Sequence, residues 1–197
     1  MFIVAALPLW AAEEESKVLI VNENVTNYGV QLGVNISDAA VSSGVSSSRS
    51  GFQFGVLGES PVTPGLLYLQ PELSFVQRGA ENALFGQNIK ARLNYLEAGV
   101  LLKAKINIAE SKPFLMAGPH MGYLLSASGD GTGLALSRSN FRSVDMGFDI
   151  GLGMGVAMTD RSEMLISARY SFSVIDADPS ANEWKSDSFL VSLGYLF

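Results

Sequence analysis

The chain has no cysteine, a single histidine, and charged side chains at only 16% of its 197 positions. Without cysteine there is no disulfide, no thiolate metal ligand and no cysteine nucleophile. One histidine excludes a multi-histidine metal site. Lys and Arg number 13 against 19 Asp and Glu, a formal net charge of −6; nucleic-acid binding calls for the opposite, a basic face. No stretch reaches the ~18–20 consecutive apolar residues of a transmembrane helix. Roughly 55% of the residues are apolar when glycine is counted with them, above the usual share, and charge falls well below the usual ~25%. Disorder is excluded by this supply of apolar surface, and the length suits one domain, including a large all-β one. So few charges on so small a protein raise the question of which solvent its surface meets.

Residues 1–12 read MFIVAALPLWAA and lead directly into Glu13, Glu14 and Glu15. The run is too short to cross a bilayer as a helix. It has the apolar core and small residues of a secretory signal, with cleavage expected after Ala11, because a cut after Ala12 would place bulky Trp10 three residues upstream. The basic region that normally precedes such a run is absent. Residues 1–11 are therefore read as a truncated signal peptide, against the alternative of a buried N-terminal strand. Residues 12–27 are read as a periplasmic lead-in, including KVLIV at 17–21, and 28–197 as the folded domain.

Beyond Asn27 the sequence alternates with period two in eight segments, the pattern of strands whose faces meet different surroundings. The first places Tyr28, Val30, Leu32, Val34 and Ile36 on one side and Gly29, Gln31, Gly33, Asn35 and Ser37 on the other. The sixth is the cleanest: alternate residues from Val144 to Val156 are all large and apolar, and those between are Asp145, Asp149 and glycines. Across all eight segments the first face carries no charge and no Ser, Thr, Asn or Gln. The second faces hold Glu59, Glu72, Glu97, Lys103, Lys105, Asp145, Asp149 and Arg169 among Gly, Ser and Gln.

Alternation alone does not say which face points inward. A soluble ligand-carrying barrel places the apolar face inside, and a membrane barrel places it outside. Here the apolar face is bulky and aromatic while the polar face is small and glycine-rich, which suits the lumen of a narrow barrel. The expected connections also alternate in length. Those at 38–50, 79–94, 126–141 and 175–186 are long and polar, and those at 61–66, 107–112 and 159–162 are short, as in outer-membrane barrels with short periplasmic turns. The chain stops at an aromatic, with Phe189, Val191, Leu193, Tyr195 and Phe197 all on the apolar face. These features predict an all-β fold, an eight-stranded antiparallel up-and-down transmembrane β-barrel, with the N-terminus periplasmic and Lys103 and Arg169 pointing inward. Pro71 and Pro119 fall inside predicted strands and imply a bulge or break at each, since proline removes a ladder hydrogen bond.

The segments LYLQPELSFVQRGA (67–80), LNYLEAGVLLKAKI (93–106), PFLMAGPHMGYLLSA (113–127) and the closing LGYLF (193–197) resemble the small outer-membrane β-barrel "porin family" proteins of Bacteroidetes-type bacteria. The order of these motifs matches from about Tyr28 to the end. Glu97-Ala98-Gly99 departs from the Glu-Ile-Pro more often found in that family, whereas Lys103 is kept. The resemblance brings no catalytic residues. The terminal aromatic resembles the signal read by the outer-membrane barrel assembly machinery, which implies that machinery and outer-membrane lipid as partners.

The inward charges suggest a lumen polar network of Glu72, Glu97, Lys103, Lys105, Asp145, Asp149 and Arg169. Its plain reading is structural, since buried charges must be paired and an eight-stranded lumen is filled by side chains; its sharper reading is a gate or proton-linked path. His120 is the only histidine, but it lies mid-segment on the lumen face, away from any lipid substrate. Asp130, in GDGTG, lacks the full spacing of a calcium loop. No catalytic, cofactor-binding or metal-ligating set is expected, and no nucleic-acid partner. The expected function is an integral outer-membrane barrel, structural or surface-binding rather than a wide pore. The alternatives are a soluble secreted lipocalin-like carrier and an outer-membrane lipid-modifying enzyme. Loop composition names no extracellular ligand.

Overall fold

The computed structural model describes residues 25–40, 46–47, 49–84, 87–108, 111–130, 143–159, 161–174 and 185–197. The expected signal peptide, the stretch KVLIV and most of the lead-in lie outside these residues, as does the GDGTG run beyond Asp130. Eight long strands account for nearly all of the rest: β1 (Asn27–Ala40), β2 (Arg49–Thr63), β3 (Leu67–Leu84), β4 (Gln87–Lys105), β5 (Ser111–Asp130), β6 (Val144–Thr159), β7 (Ser162–Ser173) and β8 (Lys185–Leu196). Each is antiparallel to its neighbour in sequence, and β1 pairs with both β2 and β8, so the sheet closes on itself. Closure leaves no unpaired sheet edge, which is the condition for β-structure to sit in hydrocarbon. Ser46–Ser47 adds a two-residue bridge to Glu81 and Asn82 on β3.

The start of β1, the end of β8 and the short turns lie at one end of the barrel. Phe197 donates its backbone N–H to Tyr28 O at 2.8 Å, stitching the last residue to the first strand. The turn between β2 and β3 is closed by Leu66 N–H to Thr63 O, 3.0 Å, and needs Gly65 at φ 77°, a left-handed conformation that a side chain would oppose. The opposite end carries the longer connections, apart from one. Residues 79–94, expected as a long loop, are mostly strand: β3 runs to Leu84 and β4 starts at Gln87, paired throughout. Alternation marks a strand only where its two faces meet different media; RGAENALFGQNIKARLN lacks that contrast, yet its backbone ladder continues. Strands of 12 to 20 residues exceed the ~9–11 needed to span a bilayer.

The two interior prolines each interrupt the ladder on one side only. Pro71 keeps register with Val100 on β4, while the β2–β3 pairing skips from Leu57↔Glu72 to Ser60↔Leu69. Pro119 keeps register with Phe148 on β6, while the β4–β5 pairing skips from Gly99↔His120 to Leu102↔Ala117. Each missing N–H therefore opens the ladder on a single side, and the barrel stays closed.

The faces sort as the alternation requires of a membrane barrel. Leu32 and Leu115 are more than 60% exposed on the outside, whereas Arg169 and Lys103 are at most 2% exposed within. A soluble carrier would show the reverse, so the lipocalin-like arrangement does not hold. Outside, Phe52, Phe54 and Phe75 stack on one another at 5.3–6.3 Å, and Tyr28 and Phe197 stand exposed at the turn end. Aromatic girdles of this kind flank the apolar band of outer-membrane barrels.

Candidate functional site: the charged lumen

The lumen is built in layers, each fixed by the strand that carries it. At the turn end, β4 contributes Lys103 and Lys105 two residues apart, hence on the same face. Lys103 Nζ donates to Glu59 Oε2 of β2 at 2.7 Å, and Lys105 Nζ to Glu59 Oε1 at 2.5 Å. Lys105 also donates to Glu163 Oε1 of β7 at 3.0 Å, and Lys112 of β5 stands 3.9 Å from Glu163 Oε2. Both β4 lysines lie over aromatic rings: Lys103 is 4.4 Å from the Phe114 centroid and Lys105 is 4.8 Å from that of Tyr68. Such cation–π contacts strengthen when desolvated.

Packed against this layer, Leu57, Leu101, Phe114, Met116, Leu165 and Leu196 form an apolar plug within the lumen. The next layer centres on Arg169 of β7. Its guanidinium pairs with both oxygens of Glu72 (β3), at 3.1 Å for Nη2 to Oε2, and Nη1 also donates to Asp149 Oδ2 of β6 at 3.2 Å. Gln31 and Gln70 each donate to Glu72 Oε2 at 3.2 Å, and Gln31 and Gln53 donate to Ser74 Oγ. Nearer the loop end, Arg78 of β3 bridges Glu97 of β4 and Asp145 of β6 at 2.5 Å each, with the Tyr95 ring 5.6 Å away. Tyr95 and Leu124 pack together on this level. A planar guanidinium spans two carboxylates where an ammonium would serve as a point charge.

The residues singled out in the sequence fall into these layers as follows. Lys103 and Lys105 meet each other around Glu59; Glu72, Asp149 and Arg169 form one centre; Glu97 and Asp145 meet through Arg78. The ion pairs fall into two sets, the lysines with Glu59 and Glu163 and the arginines with Glu72, Glu97, Asp145 and Asp149. Four partners were missed as members: Glu59, Arg78, Lys112 and Glu163. Arg78, Lys112 and Glu163 lie just beyond the segment ends, yet each keeps lumen parity with its strand: Arg78 with Val76, Lys112 with Phe114, Glu163 with Leu165. Extending each alternation by one or two steps finds them.

His120 is buried in the lumen wall, in register with Gly99 on β4 and Gly147 on β6. A Cβ on Gly147 would fall 2.6 Å from the imidazole Nε2 and 2.3 Å from Phe172 O, so the ring packs against a position that has room only for glycine. The imidazole Nδ1 is 2.9 Å from Asp149 Oδ1. It is shut off from the outer surface that a lipid substrate would approach.

Comparisons with known proteins agree with this architecture. A profile of the outer membrane protein beta-barrel domain family matches residues 14–178. No curated protein sequence matches the chain. Among solved structures, the barrel is similar to the outer membrane protein OprG from Pseudomonas aeruginosa, with TM-score 0.55 and 15% identity over 90% of this chain and 99% of that one. It is similar also to Neisserial surface protein A, with TM-score 0.52 and 17% identity over 86% of this chain and 95% of that one. A third is Ail, the attachment invasion locus protein of Yersinia pestis, with TM-score 0.51 and 17% identity over 87% and 98% of the two chains. At these identities the likeness is one of fold. A closed apolar-coated barrel with a charged, side-chain-filled lumen, matched by that profile over most of its length, is an integral outer-membrane protein, and the chain belongs to the outer membrane protein beta-barrel domain family.

Proposed function

We propose that this barrel serves as a structural and surface-binding element of the outer membrane, working through its loop end rather than as a wide pore or an enzyme. The observation that carries this reading is the lumen: Arg169, Lys103, Lys105, Leu101 and Leu124 rank among its largest fully buried side chains, and they cross-link five of the eight strands with their partners. Eight-stranded barrels have interiors just wide enough for side chains to fill. An ion crossing this one would have to break buried pairs and pass the apolar plug. The non-enzyme reading is supported by the position of His120, whose lumen burial keeps it from lipid substrates. Assembly by the outer-membrane barrel machinery is part of this proposal, supported by membership of the outer membrane protein beta-barrel domain family.

Planar-bilayer recording on the purified full-length barrel tests the reading. The expected record has no stable steps of open-porin size, and Arg169→Gln or Lys103→Gln leaves it so while the protein stays folded. Stable steps in the native protein that change with either substitution would establish the permeation path instead.

A further inference from the structure

The two ends of the lumen differ in charge. Around Glu59 and Glu163 stand three lysines, so that layer is slightly positive. The loop-side layers hold four carboxylates, Glu72, Glu97, Asp145 and Asp149, against two guanidiniums, Arg78 and Arg169. With His120 neutral, the described residues leave two negative charges in excess in a region away from water. Uncompensated buried charge is strongly unfavourable, and buried charges in proteins are paired or coordinate metals.

His120 stands where that excess gathers. Its side chain is 1% exposed, Nδ1 stands 2.9 Å from Asp149 Oδ1 as an ion-pair contact, and among the described residues neither ring nitrogen has a partner that meets hydrogen-bond geometry. Oδ1 of Asp149 likewise has no hydrogen-bond partner. A carboxylate oxygen of Glu97, a ring nitrogen of His120 and a carboxylate oxygen of Asp149 all lie within 4.8 Å of one another, and all three residues are buried. Each carboxylate is steadied from behind: Arg78 holds Glu97 Oε2 and Arg169 holds Asp149 Oδ2. Outer partners of this kind orient metal ligands.

We infer that Glu97, His120 and Asp149 form a binding site for one divalent transition-metal ion inside the lumen. One imidazole nitrogen and two carboxylate oxygens suit zinc or a neighbouring ion of similar softness. A dication neutralises the excess of two negative charges and would lie between the ring nitrogen and Asp149 Oδ1, which face each other at 2.9 Å without a hydrogen bond. Zinc bonds of ~2.0–2.2 Å set ligand atoms about 3.3–3.6 Å apart, a spacing between the 2.9 Å of Nδ1 to Asp149 Oδ1 and the 4.8 Å that bounds the set. Gly147 leaves room for the Cε1–Nε2 edge of the imidazole, and Nδ1 faces Asp149 Oδ1.

The test uses the full-length barrel, purified and refolded in detergent with chelator, then refolded or incubated with zinc or cobalt(II) and desalted. Metal analysis is expected to find one ion per barrel, with cobalt giving the absorption bands of an N/O ligand set. His120→Gln and Glu97→Gln are each expected to weaken binding by about tenfold or more, with folding checked by heat-modifiable migration on gels. Should either variant fail to fold, the native protein decides alone. His120 is the only histidine, so its imidazole nitrogen resonances are unambiguous, and they should shift on zinc addition and return on chelation. Resonances indifferent to zinc under both loading regimes, an imidazolium that simply retains its proton, or undiminished stoichiometry in folded His120→Gln would overturn the site.

Discussion

The inner and outer faces of the same strands obey opposite rules. On β7, Arg169 points inward at 2% exposure and holds two carboxylates, while its neighbour Tyr170 points outward. On β6, Asp149 is fully buried and Ile150, one residue on, is 56% exposed. A step of one residue decides whether charge stabilises the barrel or opposes it. Solvent explains the difference: outward side chains meet hydrocarbon, which offers a charge nothing, and inward ones meet partners placed by the neighbouring strands.

The sharpest way to break the comparison is to remove an inner charge. Arg169→Met leaves Glu72 and Asp149 buried without their cation, and urea titration in lipid vesicles should show a loss of about 3–5 kcal/mol, or no folded barrel. Arg169→Lys should lie between, because an ammonium reaches one carboxylate well but lacks the planar fork. Adding a charge outside is the mirror experiment. Ile150→Arg, at the centre of the outward apolar run of β6, should cost about 2–4 kcal/mol in the same titration, and Ile106→Arg, beside a turn, only about 0–1 kcal/mol. Equal losses at those two positions would contradict the placement of the bilayer around the barrel.

A gentler substitution sharpens the contrast between the lumen layers. Glu59→Gln keeps an acceptor for one lysine and should destabilise by about 1.5–3 kcal/mol. Combining it with Lys103→Met should restore part of that loss, since replacing both members of a buried pair can be nearly neutral. Both β4 lysines have rings to rest on, Phe114 and Tyr68, whereas Arg169 is held by the carboxylates of Glu72 and Asp149. Removing a lysine with its partner should therefore be tolerated better than removing an arginine.

Much of this architecture was legible in the sequence because one physical contrast, lipid against lumen, is written at every second residue. Eight segments of Val, Leu, Ile and aromatics facing Gly, Ser and charge specify eight two-faced strands. The contrast fades in RGAENALFGQNIKARLN, so the pattern there signals a loop although Leu84 and Gln87 pair within a continuous hairpin. The pattern also closes short of Arg78 and opens only after Lys112 and Glu163. The sequence further marked Pro71 and Pro119 as ladder breaks, but on which side each opens depends on which neighbour loses its hydrogen bond.

Sequence by itself determined the strand count, the inward placement of Lys103, Arg169 and His120, and the medium around the barrel, because period-two patterning is a local property of each strand. Partner choice was decided only by the tertiary structure. Arg78 meets Asp145 across 67 positions and Arg169 meets Glu72 across 97. Such meetings depend on how the strands register and close around the lumen, which no single segment encodes. The separation of charge into a lysine layer and two arginine layers, and the excess of carboxylates beside His120, arise from that closure.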